Sequence, residues 1–253
     1  MTNERLVNKF FNFEGTQQMK QTESNNLWKA IQKLKQVGSK YSTDGAEQFA
    51  DNTGTKFEKE FESCLKACDI EERNGIELVG YSTTQLKEIL KQPDNDLLWT
   101  ELEDRFIRVF QDNNIFIPQP AGGKHEPDFI VYYERKIYPI ECKKRDGKSP
   151  VYGDNGCHPR TIYLMKGLWK RQLTHTYWLG SDLMSTEKYI EGLEQRENAK
   201  YAIKNILSEY SMVNDVSRLG TNQKVDDVIG HPNRHQYEAN VQNYILDKVS
   251  IGE

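Results

Sequence analysis

The sequence predicts an α/β fold in which a central mixed β-sheet is flanked by helices. Two apolar runs in the middle of the chain, residues 129–133 and 137–142, are rich in β-branched and aromatic side chains and therefore favour strands. Apolar residues recur at helical spacing before them, at residues 57–68 and 98–110, and after them, at residues 189–210. Strands enclosed by amphipathic helices are typical of a layered α/β domain.

The regions outside this core are more polar. Residues 1–53 contain one short amphipathic helix, at residues 27–34, and we expect them to form a peripheral arm or subdomain. Residues 71–97 resemble an insertion with a short helix before Pro93. We expect one domain over the 253 residues, with a core at 54–210 and a C-terminal loop and helix at 211–253.

A hairpin between the two apolar runs would bring two acidic residues together. Residues 134–136 are polar, and a loop of two or four residues would place Asp128 directly opposite Glu141 on one face of the sheet. Lys143, two residues further along, would share that face. A loop of three residues would instead place Asp128 opposite Cys142, and a bulge would then be needed to bring the carboxylates together.

These side chains suit the hydrolysis of a phosphodiester bond. Asp128 and Glu141 offer the oxygen donors that a hard divalent ion such as Mg2+ prefers, and the backbone carbonyl of Cys142 would supply a further ligand. Lys143 would orient or help to deprotonate the attacking water, and would offset charge on the phosphorus. An ordinary ion pair at the edge of a sheet uses the same residue types. The spacing of the residues must therefore distinguish a catalytic site from such an ion pair.

The spacing resembles that of a known family. Pro127-Asp128, twelve intervening residues and then Glu141-Cys142-Lys143 resemble the PD-(D/E)XK nuclease motif, and are most similar to type II restriction endonucleases. The resemblance implies a restriction-endonuclease-like sheet, one or two Mg2+ ions per active site and double-stranded DNA as the substrate. It also implies a homodimer that cuts a short palindromic site and leaves 5'-phosphate ends. The alternatives are a structure-selective or repair nuclease of the same fold and a catalytically silent DNA-binding protein.

A helix often supplies a further metal-binding glutamate in such enzymes, and two helices compete for this role. Glu58 and Glu62 lie on one strip of the first core helix, where either would bind a second ion or its water. A solvated acidic strip explains the same pair. The helix directly before the hairpin carries Glu101, Glu103 and Asp104, and the sequence does not decide between the two helices.

Positive charge is concentrated around the hairpin of an otherwise acidic chain. The formal net charge is -4, yet residues 124–171 contain eleven Lys and Arg against six Asp and Glu. Such a surplus is expected where a negative polymer binds, although cations scattered over a solvated face would give the same count. The residues predicted to contact DNA lie after the second strand and in a late loop: Lys144, Arg145, Lys148, Tyr152, Asp154, Asn155, Arg160, Asn233 and Arg234.

Composition excludes several other classes of protein. Only 36% of the residues are hydrophobic, but 11% are aromatic, which indicates a polar folded protein rather than a disordered one. No run approaches the length of a membrane span and the first residues lack the apolar segment of a secretory signal, so we expect a cytoplasmic protein without membrane contact. The four cysteines form no CxxC pair, so neither a zinc site nor a disulfide framework is indicated.

Overall fold

The computed structural model describes residues 25–39, 54–123, 125–145, 157–169, 172–209 and 229–247. Within these residues the chain is an α/β protein built on one six-stranded sheet, which confirms the predicted fold class. The strands are β1 (Glu71–Glu72), β2 (Ile115–Pro118), β3 (Phe129–Tyr133), β4 (Lys136–Arg145), β5 (Ile162–Trp169) and β6 (Gln172–Leu179). The helices are α1 (Asn26–Ser39), α2 (Gly54–Lys66), a 3-10 helix (Ile76–Val79), α3 (Thr83–Leu90), α4 (Asp96–Phe110), α5 (Gly180–Leu183), α6 (Thr186–Glu209) and α7 (Arg234–Asp247).

The sheet is mixed, and its strand order follows the chain from β1 to β6. Two pairs, β1 with β2 and β4 with β5, run parallel, and the other neighbours run antiparallel. The β3–β4 turn consists of Glu134 and Arg135, whose φ angles of 47° and 63° are those of a two-residue hairpin turn. Tyr133 therefore pairs with Lys136, which confirms the register predicted for a two-residue loop and excludes the three-residue alternative.

One face of the sheet packs against α1, α2 and α7. Alternation along β3 directs Phe129 and Val131 to this face, where they meet Phe61 of α2 and Leu27 of α1 in a single apolar core. Helix α1 lies in the N-terminal segment that was expected to be peripheral, yet Leu27 is fully buried. The sequence thus indicated the amphipathic pattern of α1, but it did not indicate that this helix packs against the sheet.

The opposite face of the sheet carries two separate apolar clusters. The first lies over β2 and β3, where Ile130 and Tyr132 meet the 3-10 helix, α3 and α4, so the segment that resembled an insertion contributes to the core. The second lies over β5 and β6, around Tyr163 and Trp178. Between the clusters, β4 presents polar residues on this face. None of the described helices is long and apolar enough to cross a membrane.

A buried histidine on β6 gives the fold a pH dependence. His175 packs against Phe57 at a ring distance of 5.7 Å. Its buried Nε2 has no hydrogen-bond partner among the described residues. Burial, aided by the charges of Lys166 and Lys35, lowers the pKa of His175 from 6.5 to about 3.

We expect His175 to make the free energy of unfolding fall as the pH is lowered. The unfolded histidine takes up a proton near pH 6.5 and the folded one near pH 3, so its contribution is complete above the first value and is lost towards the second. The loss is on the order of 1 kcal/mol per pH unit in that window. Urea unfolding of the wild type and of His175→Gln across this range should give the steeper dependence for the wild type. Parallel curves for the two proteins would contradict the assignment.

Candidate active site

Two carboxylates meet where β3 begins beside β4. The register of the hairpin places Asp128, one residue before β3, opposite Glu141 of β4. Each carboxylate binds the backbone of the other strand: Asp128 Oδ2 accepts from the N–H of Cys142 at 2.8 Å, and Glu141 Oε2 accepts from the N–H of Asp128 at 3.0 Å. The two side chains therefore replace part of the backbone ladder, and their positions are fixed by the strands themselves.

The buried location of these carboxylates makes their negative charge unfavourable. Asp128 is 9% exposed and Glu141 is 6% exposed. Burial raises the pKa of Asp128 to about 6, with the charge of Glu58 adding to the effect and the N–H of Cys142 opposing it. Burial also raises the pKa of Glu141 well above its usual range, because the opposing attraction of Lys143 is smaller. Such a pair is stabilised by a cation.

Lys143 supplies part of that positive charge. Its Nζ donates to Glu141 Oε1 at 2.7 Å and to Glu126 Oε1 at 2.5 Å. Although burial opposes protonation, the two carboxylates raise the pKa of Lys143. The side chain is therefore an ammonium ion that is shared between two acids.

Helix α2 brings a third acid to Asp128 through a shared amide. Gln119, directly after β2, donates from Nε2 to Asp128 Oδ1 at 3.1 Å and to Glu58 Oε2 at 3.2 Å. Burial raises the pKa of Glu58. Glu62, the other candidate on this helix, instead pairs with Lys66 at 2.6 Å. Of the two, the structure brings Glu58 to the acidic pair.

Of the acids of α4, only Glu103 is seen to contact β4 within the described residues, near the turn end of the strand. Glu103 accepts from the N–H of Ile137 at 3.4 Å, and Glu101 pairs with Arg105 at 2.8 Å, while Asp104 is exposed. Of the acids on these two helices, Glu58 of α2 is the one that shares a hydrogen-bond donor with Asp128, and its role as a metal ligand stays a prediction. A cavity of about 210 Å³ lies beside this end of β4, lined in part by Trp99, Pro139, Arg160 and Tyr244.

The donor set is compatible with a hard divalent cation. No ready-made cluster of three or more His, Cys, Asp or Glu ligands occurs in the described part of the chain. Asp128 and Glu141 do present carboxylate oxygens, each of which can accept more than the single hydrogen bond described above. Mg2+ commonly binds to one or two carboxylates and completes its coordination with water and phosphate oxygens. The ligand role of the Cys142 carbonyl stays a prediction.

Two arginines that were predicted to contact DNA have partners within the protein. The Arg160 guanidinium forms an ion pair with Asp96 and lies 5.1 Å from the ring centre of Trp99. Arg234 donates to the carbonyl of His175 at 2.8 Å and thereby ties α7 to the edge of β6. These contacts stabilise the fold, and contact with DNA stays a prediction for both residues.

The remaining predicted DNA contacts are only partly described. Lys144 is partly buried on β4 and pairs across the sheet with Lys166 of β5, whereas Asn233 is exposed just before α7. Lys148, Tyr152, Asp154, Asn155 and the side chain of Arg145 lie outside the described residues.

Three residues of this site were not assigned a role from the sequence: Gln119, Glu126 and Tyr163. Glu126 stands two residues before Asp128 but lies in a bend outside β3, where the alternation of side chains along a strand does not place it. Tyr163 lies opposite Glu141 in the β4–β5 pairing, which becomes known only with the register of β5. No sequence pattern around Gln119 indicates that its side chain belongs to the site.

The mixed sheet, with an acidic pair and a lysine on its central strands, is a nuclease-like α/β core. The chain belongs to the nuclease-related domain (NERD) family, whose model matches residues 94–229, more than half of the chain. The matched region contains Asp128, Glu141 and Lys143 but not Glu58 of α2. No curated protein and no solved structure gives a significant match. The family supports nuclease activity and therefore a nucleic acid substrate.

Proposed function

We propose that this protein is a Mg2+-dependent nuclease that hydrolyses phosphodiester bonds of double-stranded DNA. The observation that carries the proposal is the buried pair of Asp128 and Glu141, each bound to the other's strand, with the ammonium group of Lys143 at 2.7 Å from Glu141. A fold needs no such arrangement for stability, because burying carboxylates side by side is unfavourable. In a member of a nuclease family, a buried pair of carboxylates beside a lysine can bind a metal ion and stabilise the charge of a phosphate.

Each group has a role in this mechanism. Asp128, Glu141 and the carbonyl of Cys142 would hold the metal ion, with Glu58 placed to bind a second ion or its water. When bound, the ion lowers the pKa of water and offsets the charge of the phosphate. Lys143 donates hydrogen bonds to the attacking water and to the phosphate, because its raised pKa makes it a poor base. The water oxygen forms a bond to phosphorus as the bond between phosphorus and the 3'-oxygen breaks. The attacking water releases a proton to solvent and the 3'-oxygen takes one from solvent, which leaves a 5'-phosphate and a 3'-hydroxyl.

The finer proposal is a type II restriction endonuclease that acts as a homodimer on a palindromic site. It is supported by the resemblance of residues 127–143 to that group. A homodimer would match the two-fold symmetry of palindromic DNA. A structure-selective or repair nuclease of the same fold is the second candidate. It is favoured by the internal contacts of Arg160 and Arg234, since these leave fewer side chains for reading bases.

Digestion of plasmid DNA distinguishes these proposals. Purified protein is incubated with DNA of mixed sequence and Mg2+, with parallel samples in Ca2+ and in EDTA, and the ends are mapped. We expect cleavage only with Mg2+, giving 5'-phosphate ends. Discrete fragments would identify a site-specific enzyme and a continuous smear the second candidate. Binding without cleavage of any DNA would identify a silent DNA-binding protein and overturn the proposal of a nuclease.

A further inference from the structure

A line of hydrogen bonds leads from β5 to Lys143. The N–H of His158 donates to the hydroxyl of Tyr163 at 2.7 Å, and that hydroxyl donates to Glu126 Oε2 at 3.2 Å. The other oxygen of Glu126 accepts from Lys143 Nζ at 2.5 Å. Glu126 is therefore held on one side by the sheet and holds the lysine on the other.

Tyr163 is a rigid support for this line. Its side chain is fully buried, and its ring stacks on that of Trp178 at 5.5 Å with an interplanar angle of 8°. Because a tyrosine hydroxyl has one hydrogen and already accepts from His158, that hydrogen is directed towards Glu126. The position of the Glu126 carboxylate is thus set by the core of the protein.

We propose that Glu126 is a positioning residue that holds Lys143 at the site of the reaction, and that Tyr163 holds Glu126. The inference rests on the proposed function. Lys143 now shares its ammonium group between Glu126 and Glu141, but Glu141 is a proposed metal ligand and cannot serve both partners equally. Glu126 is then the partner that Lys143 retains. Without Glu126, the lysine would turn fully to Glu141 and compete with the metal ion there.

Two substitutions test the kinetic part of this proposal. Glu126→Gln keeps the size of the side chain and removes its charge, whereas Tyr163→Phe removes only the hydroxyl. Residues that orient a metal ligand or its neighbours typically change activity by about 10-fold to 100-fold, and we expect losses in kcat of this order, with KM for DNA nearly unchanged. Tyr177→Phe is the matched control, because it removes a buried hydroxyl that binds Gln32 on the other face of the sheet. It should leave kcat unchanged.

Binding of Ca2+, measured by calorimetry without any cleavage, tests whether Glu126 acts through Lys143. We expect Glu126→Gln to weaken Ca2+ binding by about 10-fold in the otherwise unchanged protein and to have no effect in a Lys143→Met background. Equal weakening in both backgrounds would make Glu126 a metal ligand itself and overturn the proposal. No weakening in either, with kcat unchanged, would overturn it as well.

The unchanged protein distinguishes a failure of the positioning role of Glu126 from a failure of the proposed nuclease activity. If the unchanged protein neither cuts DNA nor binds Ca2+, the nuclease proposal fails and the positioning role fails with it. If the unchanged protein does both and the variants behave like it, only the role of Glu126 is lost. Circular dichroism of each variant at the assay temperature establishes that it is folded.

Discussion

Replacing Lys143 by methionine should lower the rate of DNA cleavage by about 10²-fold to 10⁴-fold while leaving DNA binding nearly unchanged. The ammonium group of Lys143 lies within 2.7 Å of Glu141, and the phosphate, which is one of its proposed targets, gains negative charge on its oxygens in the transition state. Single-turnover cleavage at saturating Mg2+ measures the chemical step. Binding is measured separately in Ca2+.

The control for this variant is a second buried lysine on the neighbouring strand. Lys166 is 4% exposed and pairs with Glu60 at 2.8 Å, so Lys166→Met also leaves a carboxylate without its cation. Both variants should be less stable than the wild type, but only Lys143→Met should lose cleavage at a temperature where both are folded. Cleavage by Lys143→Met at the wild-type rate would remove this residue from the mechanism.

Replacing Asp128 by asparagine should have opposite effects on cleavage and on stability. Loss of a metal-binding carboxylate should reduce cleavage by about 10³-fold or more. In EDTA, however, the variant should be more stable than the wild type by about 1–3 kcal/mol at pH 7.5. The reason is that the buried aspartate, with a pKa of about 6, is charged at that pH at the expense of folding. Urea unfolding measures the difference.

Addition of Mg2+ should reverse the order of stability. The metal ion stabilises the wild type in proportion to its affinity and has little effect on Asp128→Asn. Asp182→Asn is the matched control, since Asp182 is another partly buried carboxylate with a raised pKa, bound to Asn240 away from the site. It should keep both cleavage and the response to Mg2+. If Asp128→Asn were less stable than the wild type in EDTA, the carboxylate would be structural.

Local signals account for the parts of this molecule that were predicted correctly. The hairpin register follows from side-chain alternation and a two-residue turn, and both are properties of adjacent residues. The helices of residues 54–66 and 96–110 follow from apolar spacing in the same way. Because the motif residues lie on one hairpin, the acidic pair could be placed before any tertiary structure was known.

Contacts between distant segments account for the rest. Glu58 reaches Asp128 only through Gln119, and these residues come from three separate parts of the chain. Arg160 resembled a DNA contact because it lies in a polar, basic loop, whereas its partner Asp96 lies on a distant helix. Such pairings depend on how helices are placed over the sheet, and periodicity does not specify that placement.

The free edge at the start of β4 has a consequence for self-association. Pairing with β5 begins only at Ile140, so no described strand pairs with the preceding residues of β4 on that side. Glu103 occupies the outward N–H of Ile137, and Pro139, the next residue with the same orientation, has no N–H to offer. An incoming strand would therefore find no donors here. The lack of free N–H groups at Ile137 and Pro139 disfavours the pairing of a second copy of the chain with this part of β4.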